Sequence, residues 1–212
     1  MHDFRYVSKK EAAPIKKILL DIIHETQNFV REDFTFQFEF VGSASRNMIT
    51  CDSKSNIGFD FDVNIYVNDE DENFTAQQIR QIIRQALDRV ARHYGYDYCE
   101  DSTRVLTIKV KDRNKARIIH SCDFAIVYDC EDGRQQYIRY NKAQNNYTWA
   151  YQGEGFDGLP DKIEWLREND LWQQVRDYYI AKKNCNDNPD KRSRSIFAET
   201  ITEMCQKTGY YD

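Results

Sequence analysis

From Ile15 onward, apolar residues recur at Ile18, Leu19, Ile22 and Ile23, the three-and-four spacing of a helix with one buried stripe. Ser8-Lys9-Lys10-Glu11 just ahead has capping-box form, and Pro14 restricts where the regular part begins. A first helix of about 20 residues is expected. The rhythm then changes: Phe34-Thr35-Phe36-Gln37-Phe38-Glu39-Phe40-Val41 alternates with period two and stops at Gly42, which predicts a strand. Residues 58–67 (GFDFDVNIYV) alternate again, with Asp60, Asp62 and Asn64 on one face and apolar residues on the other.

A second helix opens at Thr75 and buries Ile79, Ile82, Ile83, Leu87 and Val90 before ending near Gly95. Residues 104–110 (RVLTIKV) and 118–128 (IIHSCDFAIVY) read as two more strands joined by a polar, basic turn, with 136–140 as a further edge strand. Gly153 to Gly158 reads as a flexible or turn-forming stretch. From Pro160 the pattern is helical through Tyr179, and the polar run 184–194 sets off a last helix over 195–207. The pattern predicts an α+β protein: a mixed sheet four or five strands wide, flanked by helices, with a C-terminal helical extension. The boundaries are 1–152 for the core and 153–212 for an extension packed on it.

Length and composition narrow the picture. A chain of 212 residues buries one substantial core, and 41% hydrophobic with 31% charged residues is ordinary for a globular protein. No run reaches the roughly 18 apolar residues a membrane span needs, and the first residues carry no signal pattern. With six cysteines lacking a CxxC pair and four histidines at no zinc-ligand spacing, the expectation is a cytoplasmic protein with free thiols and no membrane partner. The net charge of −5 argues against a duplex-binding surface, although the basic run 109–117 keeps a nucleic-acid reading open.

The chemistry lies in the carboxylates. Aspartate is poorly suited to a strand interior, and two at i and i+2 on one face repel each other and lose solvation if buried. A hard divalent cation that prefers carboxylate oxygens compensates such a pair. Two aspartates on the wet face of a half-exposed sheet are the bland alternative. Asp123 is a third carboxylate isolated in an apolar strand, and Gly42-Ser43 ends the first strand, where glycine lets backbone approach a phosphate and the hydroxyl and amides donate to it. Residues 44–50 after it open a short helix.

This order of strand, Gly42-Ser43, short helix, Asp60-x-Asp62 strand and later Asp123 strand resembles the DNA polymerase beta-like nucleotidyltransferase superfamily, with its GS, hDhDh and hDh motifs. The likeness covers about residues 34–128 of the chain. It implies transfer of a nucleoside monophosphate from a nucleotide triphosphate to a hydroxyl acceptor, with pyrophosphate released. It also implies two magnesium ions, or manganese in their place, on Asp60, Asp62 and Asp123. Asp123 is then the candidate general base, and Gly42, Ser43 and Arg46 bind the nucleotide. Thr50 matches a weaker position of the same pattern. The chain departs from the family in the sixteen residues between Ser43 and Asp60, where 51–58 looks inserted.

For a further cation on the triphosphate, the candidates are Lys142, Lys182 with Lys183, and Lys191-Arg192 with Arg194. Tyr147, Trp149 and Tyr151 form a row suited either to stacking a base or to cross-strand packing. The acceptor is open among a small molecule, a nucleotide, an RNA end and a protein. The rival reading is a catalytically inactive nucleotide-binding or regulatory relative of the same fold.

Overall fold

The structure, a computed structural model, describes residues 2–69, 71–153 and 158–210. The expected turn at 153–158 therefore lies largely outside the described residues. The chain forms two compact units: the larger is Val7–Ile49 with Asn56–Gln152, and the smaller gathers Met1–Tyr6, Thr50–Ser55 and Gly153–Asp212.

In the larger unit, α1 (Lys9–Val30) starts on the capping box, with Ser8 Oγ accepting the Glu11 amide and the Glu11 carboxylate accepting the Ser8 amide. Thr75 and Gln78 do the same for α3 (Ala76–His93). Pro14 sits inside the first helix, six residues past the Ser8 cap, where it has no amide to give to the helical ladder. The sheet comprises β2 (Thr35–Val41), β4 (Phe59–Asn68), β5 (Glu100–Asp101), β6 (Leu106–Asp112), β7 (Arg117–Asp129), β8 (Gln135–Asn141) and β9 (Asn146–Tyr151). Its order is β2-β4-β7-β6-β5, with β8 continuing from β7 and β9 from β8. Only β4 and β7 run parallel; the other pairs are antiparallel, so the sheet is mixed as the sequence pattern predicts.

Seven strands among the described residues exceed the four or five expected, because β5 has two residues and β9 pairs only with β8. The core lies on one face, where Leu19, Ile22 and Ile23 of α1 and Ile79, Ile83 and Leu87 of α3 meet Phe61, Val63 and Ile65 of β4 and Cys122, Phe124 and Ile126 of β7. Because strand side chains alternate, Asp60, Asp62 and Asp123 stand on the opposite face.

The helix after Gly42 is one turn, α2 (Gly42–Ser45), shorter than the 44–50 segment predicted. Ser45 Oγ donates back to the Gly42 carbonyl, and Asn47 takes a left-handed φ of 55° that ends the turn. The chain next enters the smaller unit, where β3 (Thr50–Asp52) pairs antiparallel with β1 (Phe4–Tyr6). That unit also holds α4 (Leu159–Glu168), α5 (Trp172–Cys185) and α6 (Ser193–Thr208). No helix among the described residues is long and apolar enough to cross a membrane.

Candidate nucleotidyl-transfer site

Two adjacent parallel strands set the site. Asp62 of β4 is in register with Asp123 of β7, and Asp60 lies opposite Ser121 on the same face. Gly58 permits this closeness at the start of β4: a Cβ there would fall 1.9 Å from the Ile119 carbonyl oxygen, inside the neighbouring backbone. The Ile118 amide donates to the Asn56 carbonyl at 2.8 Å and anchors the approach. Part of the 51–58 segment thus has a structural task at the base of the site.

Gly42 is fitted to Asp62. Its φ is +65°, and a Cβ added to it would meet Asp62 Oδ2 at 2.4 Å. Both the left-handed backbone and the space exclude a side chain. The Gly-Ser turn and the second aspartate of the pair therefore touch, although 19 residues, 43 to 61, separate them in sequence.

The carboxylates feel one another. Burial, then the charges of Asp60 and Asp123, push the Asp62 carboxyl up to about 7, against a smaller opposing pull from Arg46. Asp123 is also raised, chiefly by burial and next by Asp60, while a hydrogen bond from Thr107 and the charge of Lys109 hold it down. Thr107 Oγ1 donates to Asp123 Oδ1 at 2.6 Å. Among the described residues, no group of three His, Cys, Asp or Glu side chains is drawn together tightly enough to hold an ion. The three aspartates share a face and a field without closing on a common point.

Other sequence candidates are placed as follows. Ser43 stands in α2, and Arg46 caps that turn within electrostatic reach of Asp62. Lys142 is exposed in the turn joining β8 and β9. Thr50 belongs to β3, where its hydroxyl accepts Lys183 Nζ at 2.7 Å, and Lys183 also lies 3.9 Å from the Phe4 ring centre. Lys182 bonds Glu203 at 2.7 Å and Glu199 at 2.9 Å, and Lys191 bonds Glu199 at 2.6 Å, all within the smaller unit.

The basic run 109–117 is largely neutralised. Lys109 pairs with Glu100, Lys111 and Arg113 with Asp97, and Arg117 with Asp112. In the aromatic row, Tyr147 stacks on Tyr140 at 4.4 Å and donates to Asp101, whereas Trp149 and Tyr151 are exposed.

The sequence pattern does not point to Thr107 or to the buried Arg80, and it offers Lys109 only as part of the basic run 109–117. Arg80 is fully buried and donates to Asp101 Oδ1 from Nε and Nη2, to the Ile138 carbonyl from Nη1, and to the Ser102 and Val105 carbonyls from Nη2. An arginine on the apolar stripe of α3, three residues before Ile83, was the available signal.

No protein-family model and no curated protein sequence matches the chain. Solved structures do. The Vibrio cholerae DncV cyclic AMP-GMP synthase, a prokaryotic cGAS homolog, aligns with a TM-score of 0.65 at 11% identity, over 97% of this chain and 69% of that one. The fold is that of the nucleotidyltransferases. A STING-associated CdnE c-di-GMP synthase from Capnocytophaga granulosa gives a TM-score of 0.58 at 16% identity, over 98% of this chain and 65% of that one. CdnC from E. coli MS115-1, solved with ATP, gives 0.54 at 13%, over 97% and 63%. These neighbours are members of the polymerase beta-like nucleotidyltransferase superfamily, and at such identities the likeness is one of nucleotidyltransferase fold. The chain spans less than two thirds of the CdnE and CdnC structures, and 54% of DncV in its 3'-deoxy ATP form.

Proposed function

We propose that this protein transfers a nucleoside monophosphate from a nucleotide triphosphate to a hydroxyl, releasing pyrophosphate. The observation that carries the reading is the register of Asp62 with Asp123, with Asp60 on the same face and Gly42 seated against Asp62. Repelling carboxylates, with Asp62 and Asp123 half-buried and Asp60 exposed, suit hard oxygen-preferring cations, so the donor chemistry fits magnesium. Asp60, Asp62 and Asp123 are the residues that would hold it. Two such ions, when bound, would neutralise charge on the triphosphate and on the leaving pyrophosphate.

The acceptor oxygen attacks the α-phosphorus, the bond from that phosphorus to the bridging oxygen breaks, and pyrophosphate leaves with the bonding electrons. Asp123 takes the proton of the attacking hydroxyl. Gly42 and Ser43 offer backbone amides and a hydroxyl to phosphate oxygens, with Arg46 adding positive charge. Lys142 is the weakest member of the set, being placed on a hairpin turn. DncV has been solved with a nonhydrolyzable GTP and with a linear intermediate, 5' pppA(3',5')pG. These complexes support a second nucleotide as the first acceptor to try.

The test is incubation with each α-labelled triphosphate, singly and in pairs, with magnesium and a pyrophosphate readout. Labelled product and pyrophosphate are expected, and Asp123→Asn should keep triphosphate binding while losing turnover. Triphosphate binding without pyrophosphate from any combination would instead establish a non-catalytic nucleotide-binding module.

A further inference from the structure

Thr107 enters none of the motifs that mark the site, yet its hydroxyl makes the one side-chain hydrogen bond to the Asp123 carboxylate among the described residues, at 2.6 Å. It lies on β6 directly across the antiparallel ladder from Asp123, in a regular stretch; the register shift comes later, between Val110 and Lys111. A threonine is stiff at its first side-chain torsion in a strand, so its hydroxyl is a fixed donor. Since an ionised carboxylate only accepts, the bond runs from Thr107 to Asp123 and favours one carboxylate orientation.

The strand carrying Thr107 is itself anchored. Immediately before β6, the Val105 carbonyl accepts from Arg80 Nη2 at 3.1 Å and from Ser102 Oγ at 2.9 Å, and the Ser102 carbonyl accepts from Arg80 Nη2 at 2.6 Å. Arg80 is wholly buried and held by Asp101, whose second oxygen accepts the Tyr147 hydroxyl at 2.8 Å. The rigid start of β6 fixes where the Thr107 hydroxyl can be.

We infer that Thr107 is a positioning residue for the transfer reaction: its hydroxyl holds the Asp123 carboxylate in the orientation that receives a divalent cation and the acceptor proton. This rests on the nucleotidyltransferase reading above. Groups that hydrogen-bond a metal-binding side chain govern affinity or activity by about 10- to 100-fold when removed.

The test compares wild type with Thr107→Val, which keeps the shape and loses the hydroxyl, and Thr107→Ser, which keeps the hydroxyl. Three quantities are read on the full chain: Mn2+ uptake by electron paramagnetic resonance, kcat and KM for triphosphate in the transfer assay, and the melting temperature. Thr107→Val should bind Mn2+ about 10-fold more weakly and lose kcat by 10-fold or more, with KM within about 2-fold; Thr107→Ser should restore most of both. Wild-type values in Thr107→Val overturn the inference. So does an equal loss in Thr107→Val and Thr107→Ser that follows a fall in melting temperature, since that marks a packing role. A wild-type chain that neither takes up Mn2+ nor transfers overturns the nucleotidyltransferase reading, and the role of Thr107 with it.

Discussion

Asp62 carries the strongest conflict between folding and chemistry. Its carboxyl is raised from 3.8 to about 7, so between those values the folded state keeps a proton that the unfolded chain has released. Stability from this group is complete below about pH 4 and lost as pH rises through 7. Asp62→Asn should therefore gain over wild type across that window and hold a constant gain above it, on the order of 2 to 4 kcal/mol at pH 8. Urea melts at pH 4 and pH 8 check this; an equal difference at both would refute the burial argument. Magnesium should raise the wild-type midpoint and leave Asp62→Asn nearly unmoved, because ligand that binds only the folded state stabilises it.

Gly42→Ala tests the same contact from the other side. Positive φ and a 2.4 Å approach to Asp62 Oδ2 should cost roughly 1 to 3 kcal/mol and abolish transfer. Melting with a pyrophosphate assay reads both. That Asp60, Asp62 and Asp123 share a face was legible because each interrupts a period-two apolar pattern. The Thr107 partnership was not, since Thr107 only becomes the neighbour of Asp123 through a strand register that local composition does not encode.

Among elements, the long periodic ones were legible and the short ones were not. The two helices α1 and α3 announce themselves with capping boxes and apolar stripes, and β4 and β7 with alternation. By contrast β1 and β3 have three residues each and β5 two, too few for any period to show. The turn of α2 was overextended in the sequence reading because 44–50 has no strong breaker; Asn47 supplies the break through its left-handed backbone. Arg80 ties α3 to the β5–β6 connection and to β8 through its bonds to Asp101, Ser102, Val105 and Ile138. Arg80→Met leaves Asp101, whose side chain is 7% exposed, without this partner. A loss of about 3 to 5 kcal/mol is expected from breaking a buried pair on one side. Denaturant titration measures it; a loss under about 1 kcal/mol would mean that water or Arg84 replaces the guanidinium.

Across the whole molecule, the division into units departs from a single cut in sequence. Residues 1–6 and 50–55 share a unit with the helices after 153, and nothing in composition marks that. Within this smaller unit, Asn184 clamps Phe4 twice, accepting its amide at 2.6 Å and donating to its carbonyl at 3.2 Å. Tyr6 donates to the Arg176 carbonyl at 2.7 Å. Asn184→Ala should lower protection of the Phe4 amide in hydrogen exchange and cost about 1 to 3 kcal/mol in local opening. Unchanged exchange would show that β1 is held by β3 alone.

The clamp between Phe4 and Asn184 has a consequence for the order of events during synthesis. The larger unit is complete in sequence by Gln152, so its sheet can assemble while the C-terminal helices are still being made. Phe4 must wait for a partner 180 positions away in sequence, and Tyr6 for one 170 positions away. On a ribosome stalled shortly after residue 170 has emerged, protease should spare the sheet and still cut at the first residues and at 50–55.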